Sequence, residues 1–316
     1  MRKAGAKLRF AAQPFCFAEY VLARRGERNT VISAAGTDGF YALHEDINKF
    51  YAAASLAGIC DALLLDGMPV LADRRVRTGE RLCVDVPEAA LPPPEPFALA
   101  LHVPYEDAYF WMIDKPAPLP SSSSYKKEGP TLENALYAYA GCPGGFVYRP
   151  VNRLDKGTSG LMLAARTAHA QHLLQRLLHG SEFIREYLAV VEGAPPQTEG
   201  VIDLPIGKAD GATIRREVRA DGKPARTYYR VLETLGGRSL LRLRLDTGRT
   251  HQIRVHLSAL GCPVAGDFLY GTELDSLPGR FALHSALVRL RHPVTGEWIE
   301  RESPLPSELS VLLRRE

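Results

Sequence analysis

VNRLDKGTSGLMLAA, residues 151–165, runs a charged triplet (Arg153, Leu154, Asp155) into a Gly-Thr-Ser-Gly turn and then into an apolar strand from Leu161. An aspartate in such a turn commonly accepts backbone N–H bonds and does nothing more. The functional alternative is that the turn holds Asp155 rigidly at the mouth of a cleft, with Arg153 alongside. A carboxylate so placed can attack an electron-poor ribose or base carbon, or remove a proton. Other chemistries fit less well. The last glycine of the turn is displaced by one position from the G-x-S-x-G nucleophile elbow. A glycosidase needs two carboxylates flanking its bond, and only Asp155 stands in so conspicuous a setting. No phosphate loop or dinucleotide fingerprint occurs.

Outward from this stretch the pattern mixes strands and helices. AYFWMIDKP (108–116) reads as a strand ended by Pro116, and TLENALYAYAG (131–141) as a helix with Thr131 as N-cap and Gly141 as stop. TAHAQHLLQRLLHG (167–180) is a stronger helix, capped by Thr167, with Leu173, Leu174, Leu177 and Leu178 on one stripe. EYLAVVEG (186–193) follows as a strand. In LLRLRLDTG (240–248), Leu241, Leu243 and Leu245 alternate with Arg242 and Arg244, the period of a half-buried strand. RTHQIRVHLSALG (249–261) is another helix, with Ile253, Leu257 and Leu260 at core spacing. Strands and helices without a strict βαβ rhythm predict an α+β fold.

Two of these segments add candidate site residues. Tyr187 opens its strand and reads either as a half-buried strand tyrosine or as a ring stacked on a flipped base. If Thr250 caps the helix after it, the free N–H groups at its start suit an anion, and Arg249 could hold a phosphate. Arg254 could reach a carboxylate. His251 and His256 are five apart, roughly 140° around a helix, so they do not share a face and no metal site is expected. Solvated or structurally bonded histidines are the better reading.

Composition bounds the rest. The 316 residues predict two domains, with a break at the proline-rich ALPPPEPFA (90–98): residues 1–95 and residues 96–316. With 39 Lys and Arg against 36 Asp and Glu, the net charge is 39 − 36 = +3, so any nucleic-acid surface must arise from local clustering. Arg215, Arg216, Arg219, Lys223 and Arg226 form one such cluster, and Lys126 and Lys127 another; both read as solvated loops or as phosphate contacts. PAPLPSSSSYKKEGP (116–130) reads as a polar surface loop or a mobile strap. The five cysteines are scattered without a CxxC pair, which suits reduced thiols in the cytoplasm rather than a zinc site or disulfides. MRKAGAKLRF lacks the apolar run of a signal peptide, and the most apolar stretch, 51–72, is broken by Asp61 and Asp66, so no membrane role is expected.

Taken in order, these stretches resemble the RluA family of pseudouridine synthases. The family signature HRLD-x-x-TSG stands here as NRLDKGTSG at 152–160, its K-x-Y-x-A element as Arg185 to Ala189, and its TGR-T/S-HQ-I/L-RVH element as Thr247 to His256. ALGCPVAGDFLYG (259–271), GKPARTYYRV (222–231), Leu283-His284 and HPVTGEW (292–298) extend the likeness over roughly residues 100–306. The resemblance implies a mixed, largely antiparallel sheet and an isomerase that turns a uridine over on its ribose, with no cofactor or metal. By the same resemblance Asp155 is the catalytic aspartate, Tyr187 stacks on uracil near carbon 5, and Arg254 pairs with Asp155. Arg153, Arg249, His251 and Gln252 are implied RNA contacts. Ribosomal or transfer RNA would be the partner; on oligomeric state the sequence is silent, and a monomer is the default.

Asn152, Arg185 and Cys262 depart from the family's histidine, lysine and histidine, and bear on subfamily and substrate. GMPVLADRRVRTGERLCVDVPE (67–88) resembles the second half of a small αL-type RNA-binding domain. Two other functions remain to be weighed. An inactive RNA-binding or ribosome-assembly factor would have no need to keep Asp155, Tyr187 and Arg254 together. A nucleoside hydrolase would release free uracil.

Overall fold

The computed structural model describes residues 92–123, 129–178 and 180–314, together with five short strands earlier in the chain. Contacts divide the chain into two units, one of residues 1–93, 143–147 and 292–297, the other of 94–142, 148–291 and 298–316. In the first, β1 (Ala23–Arg25), β2 (Asn29–Ser33), β3 (Ala62–Leu65), β4 (Met68–Pro69) and β5 (Arg81–Asp85) make an antiparallel sheet in the order β1-β2-β5-β3-β4. Of these, β4 and β5 lie within 67–88, the stretch that resembles half of an RNA-binding domain. Lys126 and Lys127 fall outside the described residues.

The second unit runs β6 (His102–Glu106), β7 (Phe110–Lys115), α1 (Leu132–Tyr139), β8 (Arg149–Pro150), β9 (Ser159–Ala165), α2 (Ala168–Leu177) and β10 (Phe183–Glu192). It continues through β11 (Glu199–Asp203), β12 (Ile206–Lys208), β13 (Arg216–Val218), β14 (Arg226–Leu235) and β15 (Arg238–Leu245), then α3 (Gln252–Ala259), β16 (Leu283–Arg291), β17 (Trp298–Glu302) and α4 (Ser307–Ser310). One large sheet has the order β11-β14-β15-β10-β16-β9-β7-β6, with β17 on β16 and β8 on β9. Among its pairings only β9 with β16 is parallel. The mixed, largely antiparallel α+β expectation therefore holds.

Local chemistry explains the elements. Thr167 Oγ1 accepts from the Ala170 amide at 3.1 Å, capping α2 and turning Leu173 and Leu174 into the core. Asn134 Oδ1 accepts from the Thr131 amide at 2.9 Å and starts α1. In β15, Leu241 and Leu243 are buried, Leu245 is half-buried, and Arg242 and Arg244 point to solvent. Met112, Leu161, Leu163, Leu174, Phe183 and Leu290 share one core beneath the sheet, each such burial contributing about 1.5–3 kcal/mol.

The short parallel pairing sets the site. Ser285 of β16 lies opposite Tyr187 of β10 on one side and opposite Gly160 of β9 on the other. Tyr187 is thereby tied in register to the strand that Asp155 leads into. Gly160 has φ +102, and a Cβ there would stand 2.2 Å from the Ser285 carbonyl oxygen. Gly160→Ala is expected to destabilise the protein by about 2–4 kcal/mol through backbone strain and overpacking, read from urea unfolding. A loss under about 0.5 kcal/mol would mean the two strands can part freely, as at ordinary surface sites.

Candidate active site

Asp155 ends a loop that Thr158 closes, its amide donating to the Asp155 carbonyl at 3.1 Å. The carboxylate is 29% exposed, and its Oδ2 accepts from Arg254 Nη1 at 3.0 Å. Arg254 projects from α3 and is only 3% exposed. Its other edge donates Nε and Nη2 to Asp267, at 2.7 and 2.8 Å, and Asp267 is fully buried. Burial alone would lower the Arg254 pKa, but Asp267 and Asp155 more than offset it and the guanidinium is held charged. A planar fork between two carboxylates gives each a fixed direction. Asp155 Oδ1 makes no hydrogen bond among the described residues.

Aromatic rings wall this group. The Arg254 guanidinium carbon lies 4.1 Å from the Phe281 ring centre and 4.9 Å from that of Tyr270. Phe268, which is 49% exposed, packs at 5.9 Å from the same carbon. His251 takes a left-handed backbone, φ 58, which aims its ring between Tyr270 and Asp155. Its Nδ1 meets the Tyr270 hydroxyl at 2.8 Å, and its Nε2 stands 3.9 Å from Asp155 Oδ2. The Arg216 amide already donates to that hydroxyl at 2.9 Å. Burial first, with Arg254 and Arg216, pushes the His251 pKa below its usual range against the pull of Asp155 and Asp267.

Tyr187 is buried on the same face of β10 as Phe183 and Arg185. Burial raises its phenol above the ordinary tyrosine range, partly opposed by Arg185 and a hydrogen bond with Ser285, while the nearby Asp155 charge adds to the rise. The ring is therefore neutral at pH 7, as stacking on a base requires.

The structure corrects several expectations. The helix after Arg249 is capped by His251, not Thr250. Gln252 is no free RNA contact: it is buried, its Oε1 accepts from Thr247 Oγ1 and the Arg249 amide, and its Nε2 donates to the Arg226 carbonyl and Thr227 Oγ1. It clamps the loop to the end of β14. Arg249 Nε donates to the Pro224 carbonyl at 2.9 Å, and Arg153 is exposed beside Asp155. His256 is a core residue, bonded to Thr227 Oγ1 and the Leu204 carbonyl, each at 2.9 Å. In the basic cluster, Arg219 is engaged by Asp210, Asp221 and Glu217, and Arg226 by Asp203, so Arg215, Arg216 and Lys223 are its members without a carboxylate partner among the described residues.

The stretch 116–130 is also not simply a surface strap. Leu119 and Ser121 are buried, and Ser121 Oγ bridges the Leu154 carbonyl at 2.6 Å and the Leu154 amide at 3.2 Å. Lys115, fully buried, donates to the carbonyls of Pro116, Leu119 and Lys156 at 3.0, 2.8 and 3.5 Å. It thus joins this segment to the Asp155 loop. Burial, helped by Arg280 and opposed by Asp155, lowers its pKa from 10.5 to about 7. Between those values the unfolded chain binds a proton that the native state has released, so stability rises with pH there. Wild type is expected to gain stability relative to Lys115→Met as pH rises from about 7 to about 10, in paired melts. A gap that does not change with pH would contradict the desolvation of this ammonium.

Sequence reading missed Lys115, Asp267 and Tyr270. The signals were a lysine closing an apolar strand, and an aspartate and a tyrosine set among the glycines of 266–271.

The chain is similar to known proteins in sequence and in structure. The model of the family described as RNA pseudouridylate synthase matches residues 109–259. An uncharacterized RNA pseudouridine synthase of Chloroflexus aurantiacus is 42% identical over 262 residues, 80% of this chain and 81% of that one. The ribosomal large subunit pseudouridine synthase D of Xanthomonas campestris pv. campestris is 38% identical over 267 residues, 79% of this chain and 80% of its own. In structure, human RNA pseudouridylate synthase domain containing 1 is similar with a TM-score of 0.54 at 28% identity, covering 65% of this chain and 83% of the human one. The chain belongs to the RNA pseudouridine synthase family. It is an isomerase that converts uridine to pseudouridine in RNA. Among the described residues no helix is long and apolar enough to cross a membrane.

Proposed function

We propose that this synthase isomerises a uridine in ribosomal RNA, in the cytoplasm and as a monomer, with Asp155 as the reacting carboxylate. The observation that carries the assignment is the Asp155–Arg254–Asp267 arrangement: Arg254 holds Asp155 Oδ2 at 3.0 Å and leaves Oδ1 for substrate. The target nucleotide must leave its stack, because the glycosidic bond is inaccessible inside a helix. As nucleophile, Asp155 bonds to the anomeric carbon as the bond to N1 breaks and leaves again when carbon 5 joins that carbon; as base, it takes a ribose proton and returns it at the same stage. Uracil turns over, carbon 5 joins the ribose, the proton on carbon 5 leaves and N1 gains one, so atoms balance without a cofactor.

Tyr187 lies against the uracil in this reading, and Arg254 keeps Asp155 ionised and oriented, as a nearby cation favours the charged form. Arg153, Arg249 and the exposed Arg215 meet RNA phosphates. His251 turns its Nε2 edge toward the reacting carboxylate. The Xanthomonas relative's name supports a ribosomal target.

A transcriptome-wide pseudouridine map of cells lacking the gene, rescued with wild type or Asp155→Ala, tests this. Ribosomal RNA sites restored by wild type alone are expected. Sites restored in transfer RNA instead would overturn the substrate assignment, and no changed site would favour the RNA-binding factor.

A further inference from the structure

Five arginines of the described residues are buried: Arg149, Arg185, Arg238, Arg254 and Arg280. Four have partners. Arg254 forks between two aspartates, Arg238 meets Glu192 at 2.9 Å, Arg280 pairs with Glu308, and Arg149 donates to the Arg166 carbonyl. Arg185 is 7% exposed, yet among the described residues its side chain makes no hydrogen bond and no ion pair. Its Nε is wholly buried without a partner. Its guanidinium carbon lies 5.4 Å from the centre of the Phe183 ring, and its charge also reaches the neutral Tyr187 phenol. The exposed arginines on the other face of this sheet contrast with it: Arg230 and Arg242 already have Glu199 and Glu186.

An arginine cannot shed its proton to escape burial. A desolvated cation without a counter-charge carries a penalty of several kcal/mol. Such an arrangement makes physical sense where an anion completes it. The place is telling. Phe183, Arg185 and Tyr187 alternate along the buried face of β10. The guanidinium also lies against the turn that leads into α3, where a Cβ on Gly248 would stand 3.8 Å from Nη1. Gly248 has no side chain to fill that space.

We propose that Arg185 is a phosphate-binding residue, taking a backbone phosphate of the RNA next to the nucleotide whose base lies on Tyr187. The phosphate supplies the missing counter-charge, and the guanidinium fork matches two of its oxygens. Arg185 thereby anchors the backbone while the base turns.

The inference rests on Tyr187 facing the target base, but its test does not depend on turnover. Full-length wild type, Arg185→Met and Arg185→Lys are melted in chloride and in sodium phosphate at equal ionic strength. Methionine keeps the stem against Phe183 and removes the charge. In chloride, Arg185→Met is expected to melt about 2–4 °C above wild type, because the uncompensated cation is gone. Phosphate is expected to raise the wild-type and Arg185→Lys midpoints and leave Arg185→Met unmoved. With an unmodified large-subunit ribosomal RNA transcript, the slope of log affinity against log salt should be shallower by about 0.7–0.9 in Arg185→Met, one phosphate contact fewer.

A phosphate response that persists in Arg185→Met, or is absent from wild type, overturns the proposal, as does an unchanged salt slope. If Asp155→Ala kept its activity, the catalytic reading would fall while these melts still judged Arg185.

Discussion

Asp155→Ala is expected to lower the single-turnover rate of pseudouridine formation by about 10⁴-fold or more, as loss of a reacting group does, while RNA affinity stays within about twofold of wild type because the phosphate contacts are untouched. Stability should barely move, and the geometry says why. Asp155 is part-exposed, and removing it leaves Arg254 still forked onto Asp267 by two bonds. No buried charge is orphaned, so the stability change should stay within about 1 kcal/mol, the range of exposed ion pairs. Single-turnover kinetics, a binding titration and urea unfolding on one preparation separate the three quantities. A variant that kept its rate would refute the catalytic assignment. One that lost rate and stability together would make Asp155 a structural residue.

Asp267→Asn is expected to behave in the opposite way. Asp267 is fully buried, and it accepts from Arg254 Nε and Nη2 and from the amides of Leu269 and Tyr270, at 3.0 and 3.2 Å. Neutralising it leaves the Arg254 cation in the core with Asp155 alone, and breaking a buried pair in this way costs about 3–5 kcal/mol. Unfolding should shift accordingly, with m unchanged. Turnover should fall too, since Arg254 then lacks its second anchor and no longer aims Asp155. A variant as stable as wild type would show that the aromatic rings around Arg254, not Asp267, hold its charge.

These two residues mark what a single chain of letters makes legible. Asp155 stood out because a charged triplet, a glycine-bounded turn and an apolar strand follow one another without a gap, and that grammar is local. The strands and capped helices were legible for the same reason: Thr131, Thr167 and the alternation in 241–245 act within a few residues. Asp267 meets Arg254 from thirteen residues away and across a turn, so no periodicity announces it.

Gln252 shows the converse error. A polar residue at a helix start next to a motif looked available for RNA, but its amide is consumed by Thr247, Arg249, Arg226 and Thr227. Two of those partners lie 25 and 26 residues earlier. Lys115 was hidden in the same manner, because its three carbonyls come from the 116–119 segment and from Lys156, brought together by the pairing of β7 with β9. Arg219 and Arg226 looked like free cations because two of their carboxylates, Asp210 and Asp203, become neighbours only through hairpin and sheet pairing.

The central claim is that this site turns uracil over without releasing it. Unmodified large-subunit ribosomal RNA transcribed with uridine tritiated at carbon 5 tests that most directly, because the carbon 5 proton must leave when the new bond to ribose forms. Wild type should release tritium to water in step with pseudouridine appearing in the digested RNA, with no free uracil. Free tritiated uracil, with an abasic ribose left behind, would contradict the account and make the protein a hydrolase.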